Sequence, residues 1–240
     1  VTPQERNRVA IDFYLNEGAT TRIKEVKLVG VTKFDEDDLL SRFDLKPTSF
    51  LSWWNKDDRY SRQVLTGDLE KIRSFYMNRG YLDFAIENTT VSISETKRNV
   101  YIVIIINEGD KYRFGDIKIS GRFYPLKEES IFQNDIKTIK GDVFSRKLLN
   151  QSTESINQEL GNYGYAFSNV NPIPDVDKNN LTVGFNYFIE PGKKVYVRRI
   201  SFIGNERTQD KVLRREMRQF ESSYYDKEKI DQSTRRLKRT

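Results

Sequence analysis

Two periods of apolar residues alternate along this chain, and the alternation recurs three times. Short apolar or alternating stretches read as strands, and stretches in which Leu or Ile returns at the seventh position read as helices. Each round opens with a strand, at Arg22–Val29, Tyr112–Ser120 and Tyr196–Ile203. A short helix start follows, Thr32–Leu40 in the first copy with Asp35-Glu-Asp-Asp38 in its first turn, where acids complement the exposed amides. Its counterparts are Leu126–Phe132 and Thr208–Met217. A longer helix begins near Tyr60, Phe144 and Tyr225, with Leu65 and Ile72, Leu149 and Ile156, and Ile230 and Leu237 on one face as a core stripe. Two copies end this helix at Arg79-Gly80-Tyr81 and Tyr163-Gly164-Tyr165, then add two strands, Ala85–Ser94 with Val100–Ile106 and Phe167–Val176 with Leu181–Ile189.

Glycines mark the register. Gly18 precedes Gly30, Gly109 precedes Gly121, and Gly192 precedes Gly204, each by twelve positions. The predicted fold class is α+β, a tandem array of β-α-α-β-β units, each a three-stranded mixed sheet packed on two helices. The predicted divisions are 1–18, the last strand of a copy whose front lies outside the sequence; 22–109 and 112–192, two complete copies; and 196–240, the first half of another. In the third copy the helix-closing Gly would fall beyond position 240, so the chain is expected to stop inside a helix.

Sheet order is partly readable. The last strand of each copy is nearly all apolar, which suits a central position. The strand before it holds Pro172 and Pro174 in one copy; proline donates nothing to a ladder, so that strand belongs at an edge. Its counterpart has no proline, and Thr89-Thr-Val91-Ser-Ile93-Ser94 alternates cleanly, predicting an unblunted edge.

Composition narrows the chemistry. There is no cysteine and no histidine, which removes disulfides, thiolate chemistry, the commonest general base and the commonest transition-metal ligand. The net charge of +6 resides in residues 196–240, with 13 basic and 7 acidic side chains; the first 195 residues carry 28 of each sign. No apolar run approaches the roughly 20 residues that span a bilayer, and no signal-peptide pattern stands at Val1, as in a cytosolic chain or a trimmed mature fragment. Asp35-Glu-Asp-Asp38 lacks the spacing and the Gly of a calcium loop and reads as a helix cap. No phosphate cradle, cofactor motif, metal set or catalytic constellation is present. The basic segment lacks interleaved aromatics or a nucleic-acid motif, so no nucleic-acid partner is expected.

The three-fold register, the Arg-Gly-Tyr and Tyr-Gly-Tyr helix ends, Trp53-Trp54-Asn55 between helices, and Tyr196-Val-Arg-Arg-Ile with Val212-Leu-Arg-Arg-Glu-Met-Arg218 together resemble the POTRA domains of the BamA family, the periplasmic arm of an outer-membrane β-barrel assembly factor. The resemblance covers the whole chain, as the end of a second repeat, all of a third and fourth, and half of a fifth. It implies a scaffold that makes and breaks no bond, at the periplasmic face of a Gram-negative outer membrane. The implied partners are unfolded outer-membrane β-barrel proteins and accessory lipoproteins, with membrane contact only through a C-terminal barrel outside this sequence. Two other readings stand beside it: the arm of a secretion or translocation barrel of the same superfamily, and a carboxylate-using enzyme, which would need a cleft of paired acids.

The candidate site is the edge Thr89, Thr90, Val91, Ser92, Ile93 and Ser94. It reads either as an ordinary solvated edge or as a template to which an extended peptide adds its main chain; facing outward, Val91 and Ile93 would add an apolar foothold. Arg214, Arg215 and Arg218 are expected on one helix interspersed with Glu216 and Glu221, either as a solvated face or, by the resemblance, with Arg218 and Glu221 as ion-pair partners for a lipoprotein. Trp53 and Trp54 are candidate loop contacts, against plain packing on their own domain. Gly80 and Gly164 read as helix caps and Leu65 and Leu149 as core.

Overall fold

The computed structural model describes residues 2–4, 8–10, 13, 21–47, 59–96, 98–121 and 129–239. Trp53 and Trp54 lie outside them. Two compact units divide the chain, residues 1–73 with 84–108, and residues 74–83 with 109–240.

The first unit opens with a two-stranded antiparallel ladder, β1 (Thr2–Gln4) and β2 (Arg8–Ala10). Then come β3 (Arg22–Val29), α1 (Glu36–Ser41), α2 (Arg62–Met77), β4 (Ala85–Ile93) and β5 (Asn99–Asn107). Asp35 caps α1, its carboxylate accepting from the amides of Asp37 at 2.9 Å and Asp38 at 3.2 Å, as the acidic cluster predicts. The sheet order is β3-β5-β4, with β5 parallel to β3 and antiparallel to β4. β5 is central, as its apolar run predicts. Only one of its faces is fully buried, however: Val100, Ile102, Ile104 and Ile106 are inside, while Tyr101 is 38% exposed. Leu65 and Ile72 of the α2 stripe are buried, as expected.

The carboxylates buried in this unit serve its loops. Asp68, fully buried, accepts from the amides of Asp44 and Leu45 at 2.9 Å each and pairs with Lys71 at 2.8 Å. Glu108, of the acidic-Gly turn, accepts from the amides of Thr32 at 3.0 Å and Lys33 at 3.1 Å. Each accepts from two loop amides at once, which keeps an otherwise costly buried carboxylate tolerable.

The second unit repeats the plan with β6 (Arg113–Gly121), a 3₁₀ helix (Glu129–Asp135), α3 (Arg146–Asn162), β7 (Asn169–Asp177) and β8 (Thr182–Glu190), in the order β6-β8-β7. Rings meet in its core: Phe114 meets Phe144 edge-on at 5.4 Å, and Phe185 lies 6.1 Å from both. Leu149 and Ile156 are buried as predicted. Gly164 closes α3 with a left-handed φ of +97°. Its amide donates to the Gly161 carbonyl at 3.1 Å and that of Tyr165 to the Leu160 carbonyl at 3.0 Å, the paired reversed bonds of a Schellman end. Gly80 has φ +105°, and the Tyr81 amide reaches back to the Tyr76 carbonyl at 3.2 Å in the same way.

The same unit ends with α4 (Asp210–Glu216) and α5 (Lys227–Leu237), where two expectations are corrected. Residues 196–203 form no strand; Tyr196 makes one isolated bridge, to Tyr224, and Ile203 is 95% exposed. A strand needs a neighbour to take its amides and carbonyls, and among the described residues no strand pairs with 196–203. For the same reason Ile230 and Leu237 of the expected stripe are only half-buried.

Candidate functional site

The site is built on one edge of the first sheet. Four positions place it. Thr89 lies opposite Ile104, Val91 opposite Ile102 and Ile93 opposite Val100, and beyond the strand the Ser94 amide donates to the Asn99 carbonyl at 2.9 Å. That last bond makes Ser94 and Asn99 a hydrogen-bonded pair, and in an antiparallel ladder such pairs alternate. Ser92 and Thr90 therefore spend their main-chain groups on β5. Thr89, Val91 and Ile93 aim theirs away from it, across the rim. No strand pairs with that side of β4 among the described residues. The register shifts once, between Ile86 and Asn88, and is regular from Asn88 to Ile93. From Asn88 to Ser94 the rim has neither charge nor proline, the usual means of blunting an edge.

The same register decides which way Val91 and Ile93 face, which the sequence left open. Their partners Ile102 and Val100 are buried, so both side chains lie on the helix-covered face. Val91 is half-buried there, while Ile93, at the strand end, is 59% exposed. The open face carries Asn88, Thr90 and Ser92, all exposed. An incoming strand would thus meet an apolar flank on one side and hydroxyl and amide groups on the other.

β7 occupies the equivalent edge and is built differently. It pairs with β8 from Asn169 to Asp177 without a shift, Pro172 opposite Tyr187 and Pro174 opposite Phe185. An unbroken ladder tolerates proline only where its nitrogen points off the edge. The two copies align through Gly30 and Gly121, where a Cβ would collide with the carbonyl oxygens of Ile106 and Ile189 respectively. Ile104 then matches Tyr187 and Ile102 matches Phe185. Pro172 and Pro174 stand in for Thr89 and Val91, at the positions whose amides face the rim.

The comparisons with known proteins agree with this architecture. The family model described as POTRA, "Surface antigen variable number repeat", matches residues 21–109, 112–192 and 195–240. The chain belongs to the POTRA family. It is 32% identical to the outer membrane protein assembly factor BamA of Neisseria meningitidis serogroup B over 99% of its own length and 30% of that protein's. It is 32% identical to BamA of Buchnera aphidicola over 98% of its length and 38% of the relative's. The chain thus spans about a third of the relatives it matches. The crystal structure of Haemophilus influenzae BamA POTRA3-5 superposes with a TM-score of 0.79 at 26% identity, covering 95% of this chain and 89% of that one.

The second candidate site of this POTRA chain differs from expectation. α4 stops at Glu216, and Met217 is extended at φ −69° and ψ 141°, so Arg218 does not share a helix with Arg214 and Arg215. Met217 leaves the helix because the Arg218 amide is taken by the Ser233 hydroxyl at 2.8 Å. Arg218 is exposed. Glu221 accepts from the Ile200 amide at 2.8 Å and from Arg214 at 3.3 Å, and these two bonds hold its pKa below the usual carboxylate range. Arg214 also pairs with Asp210 at 2.7 Å. Glu221 is therefore bound within its own segment, Arg218 is presented to solvent, and the two do not pair.

The enzyme reading requires paired acids in a cleft. A cleft of about 800 Å³ in the second unit is lined by Arg146, Lys147, Gln151, Gln158 and others, with Glu154 its single carboxylate. Asp135 has its pKa raised, mainly by burial and then by Glu159, but neither residue lines that cleft. A second cleft of about 570 Å³ does gather Asp116, Asp175 and Asp177, but the pKa of Asp116 is lowered by its bond to Lys140 and that of Asp177 by its bonds to Asn180, the opposite of the raised pKa that a general acid needs. Among the described residues no helix is long and apolar enough to cross a membrane. The sequence reading missed the parity of the rim; the two prolines, spaced by two, are the signal that could have supplied it. It also missed the loop-anchoring roles of Asp68 and Glu108, whose partners are far away in the chain.

Proposed function

We propose that this chain is part of the periplasmic arm of an outer-membrane β-barrel assembly factor, at the Gram-negative outer membrane. In this reading it holds extended segments of unfolded barrel proteins by β-augmentation on β4. The observation that carries the proposal is the row of rim-facing main-chain groups at Thr89, Val91 and Ile93. Main-chain pairing is nearly indifferent to sequence, as holding many different clients demands. A transmembrane barrel strand alternates apolar and polar residues, and β4 offers an apolar flank and a polar face in that same alternation. The arm is divided as 1–18, 22–109, 112–192 and 196–240, and the 112–192 repeat is a poor acceptor because of Pro172 and Pro174. Accessory lipoproteins dock elsewhere, with exposed Arg218 as one contact. Such rim charges contribute register and association rate more than affinity.

An NMR titration of the 240-residue chain with a barrel-strand peptide tests the main reading. Amide shifts concentrated in residues 85–95, and lost in a Thr89→Pro/Val91→Pro variant that keeps its fold, are the expected result. Shifts that persist in that variant would sink augmentation.

A further inference from the structure

The helix-end motif Asn-x-Gly-Tyr, at Asn78–Tyr81 and Asn162–Tyr165, does more than close its own helix. An α-helix begins with four amides that have no partner inside it. In α5 the local cap Asp226 takes the Lys229 amide at 3.0 Å. The Glu228 amide, one residue earlier, goes to the Asn162 carboxamide oxygen at 3.0 Å, 66 residues back at the end of α3. Asn162 is itself oriented by donating to Glu159 at 2.9 Å. α3 is capped in the same two-part manner: its own Ser145 reaches the Leu148 amide at 3.4 Å, and Asn78 takes the Lys147 amide at 2.9 Å.

Two main-chain bonds accompany each of these caps. The Gly164 carbonyl accepts from Val195 at 2.9 Å, and the Val195 carbonyl accepts from Tyr225 at 2.8 Å. Likewise the Gly80 carbonyl accepts from Tyr112 at 2.8 Å, and the Tyr112 carbonyl from Phe144 at 3.0 Å. The same three bonds thus occur twice, on matching residues, although the residues around them differ. Beside Asn162 the helices approach closely; a Cβ at Gly161 would stand 3.0 Å from the Lys227 Cβ.

We infer that Asn-x-Gly-Tyr is a joint motif, in which Asn162 positions the 195–240 repeat on the 112–192 repeat by capping its second helix from outside. The Asn side chain completes the next helix only when that helix stands in one place, so the cap couples helix formation to orientation. The inference concerns the arm's construction and is independent of whether β4 accepts a client strand.

Backbone amide exchange and residual dipolar couplings on the 240-residue chain test it. In Asn162→Ala the Glu228 amide is expected to exchange about fivefold faster, the size of effect a lost cap produces. The couplings of residues 195–239 are then expected to depart from the alignment tensor that fits 112–192. Asp226→Ala is the control, because it removes the local cap and leaves the bond from Asn162; it is expected to keep the shared tensor, which also guards against reading plain fraying as joint failure. Asn162→Asp combined with Glu159→Gln restores an acceptor for Glu228 and, through the Gln amide, a donor that orients it, and should restore the shared tensor. If Asn162→Ala keeps the wild-type tensor while circular dichroism shows intact helices, the joint is overturned and Asn162 is only a cap.

Discussion

β4 and β7 are the same strand in two copies of one fold, yet they present different edges. Both flank a central strand, both run antiparallel to it, and both turn the side chains of their rim-facing residues toward the helices. Where β4 has Thr89 and Val91, β7 has Pro172 and Pro174, followed by the charges of Asp175 and Asp177. The fold therefore does not decide whether an edge is open; two amide hydrogens do. Since proline at those positions leaves the ladder to β8 intact, evolution could close one rim without weakening its sheet. The lesson is that edge chemistry is separable from stability, provided that substitution respects the two-residue parity.

Parity gives the largest expected effect. Thr90→Pro removes a donor that β5 uses and should cost about 3 kcal/mol or more. Val91→Pro, one residue on, copies β7 and should leave stability within about 1 kcal/mol of the original while abolishing peptide binding. Urea denaturation of the two variants makes the comparison; equal losses would show that the parity is assigned wrongly.

The helix ends give the next. Gly80 and Gly164 share a left-handed φ but differ in room. A Cβ at Gly80 would press on Lys111 and Val143 at 2.9 Å, whereas at Gly164 nothing comes nearer than 3.7 Å. Gly164→Ala should cost about 1 kcal/mol from backbone strain alone, and Gly80→Ala roughly 2–3 kcal/mol once packing strain is added. Thermal unfolding of both variants checks the order.

How much of this was legible follows from the range of the interactions. The repeat, the central last strand, the proline-marked edge and the Gly caps are local or periodic, and each stands in the sequence as a spacing. The anchoring roles of Asp68 and Glu108 leave no local pattern, because the amides they accept from lie 23 to 76 residues away. The face of Val91 was not legible, because alternation gives two faces and does not say which the helices cover. Residues 196–203 have the letters of a strand, but a strand is a property of a pair. Arg218 has good helical neighbours, and Ser233, from the following helix, takes the amide that would have continued α4.

The comparison can also be run in reverse. Pro172→Thr/Pro174→Val should open a second rim and raise the number of strand peptides bound from one to two by isothermal titration. Stability should change by less than about 1 kcal/mol, since the lost prolines stiffened only the unfolded chain. Ile93→Asp probes the apolar flank of the existing rim. With the side chain 59% exposed, it should weaken binding of alternating apolar peptides several-fold and leave a peptide of polar residues unaffected.

The smallest effect separates the rim from the basic segment. Glu221 is held below the usual carboxylate range by the Ile200 amide and then by Arg214. A folded-state pKa lower than the unfolded one means that its contribution is present above the unfolded value and fades as pH falls through the folded one. The clamp on residues 200–221 should therefore hold at neutral pH and loosen below about pH 4, and Glu221→Gln should remove that dependence, because an amide still accepts from Ile200 but carries no charge for Arg214. A side-chain carbon NMR titration of Glu221 reads the shift directly. The β4 rim has no titratable group from Asn88 to Ser94, so peptide binding there should not follow the same curve. If it does, the two regions are coupled and the rim does not act alone.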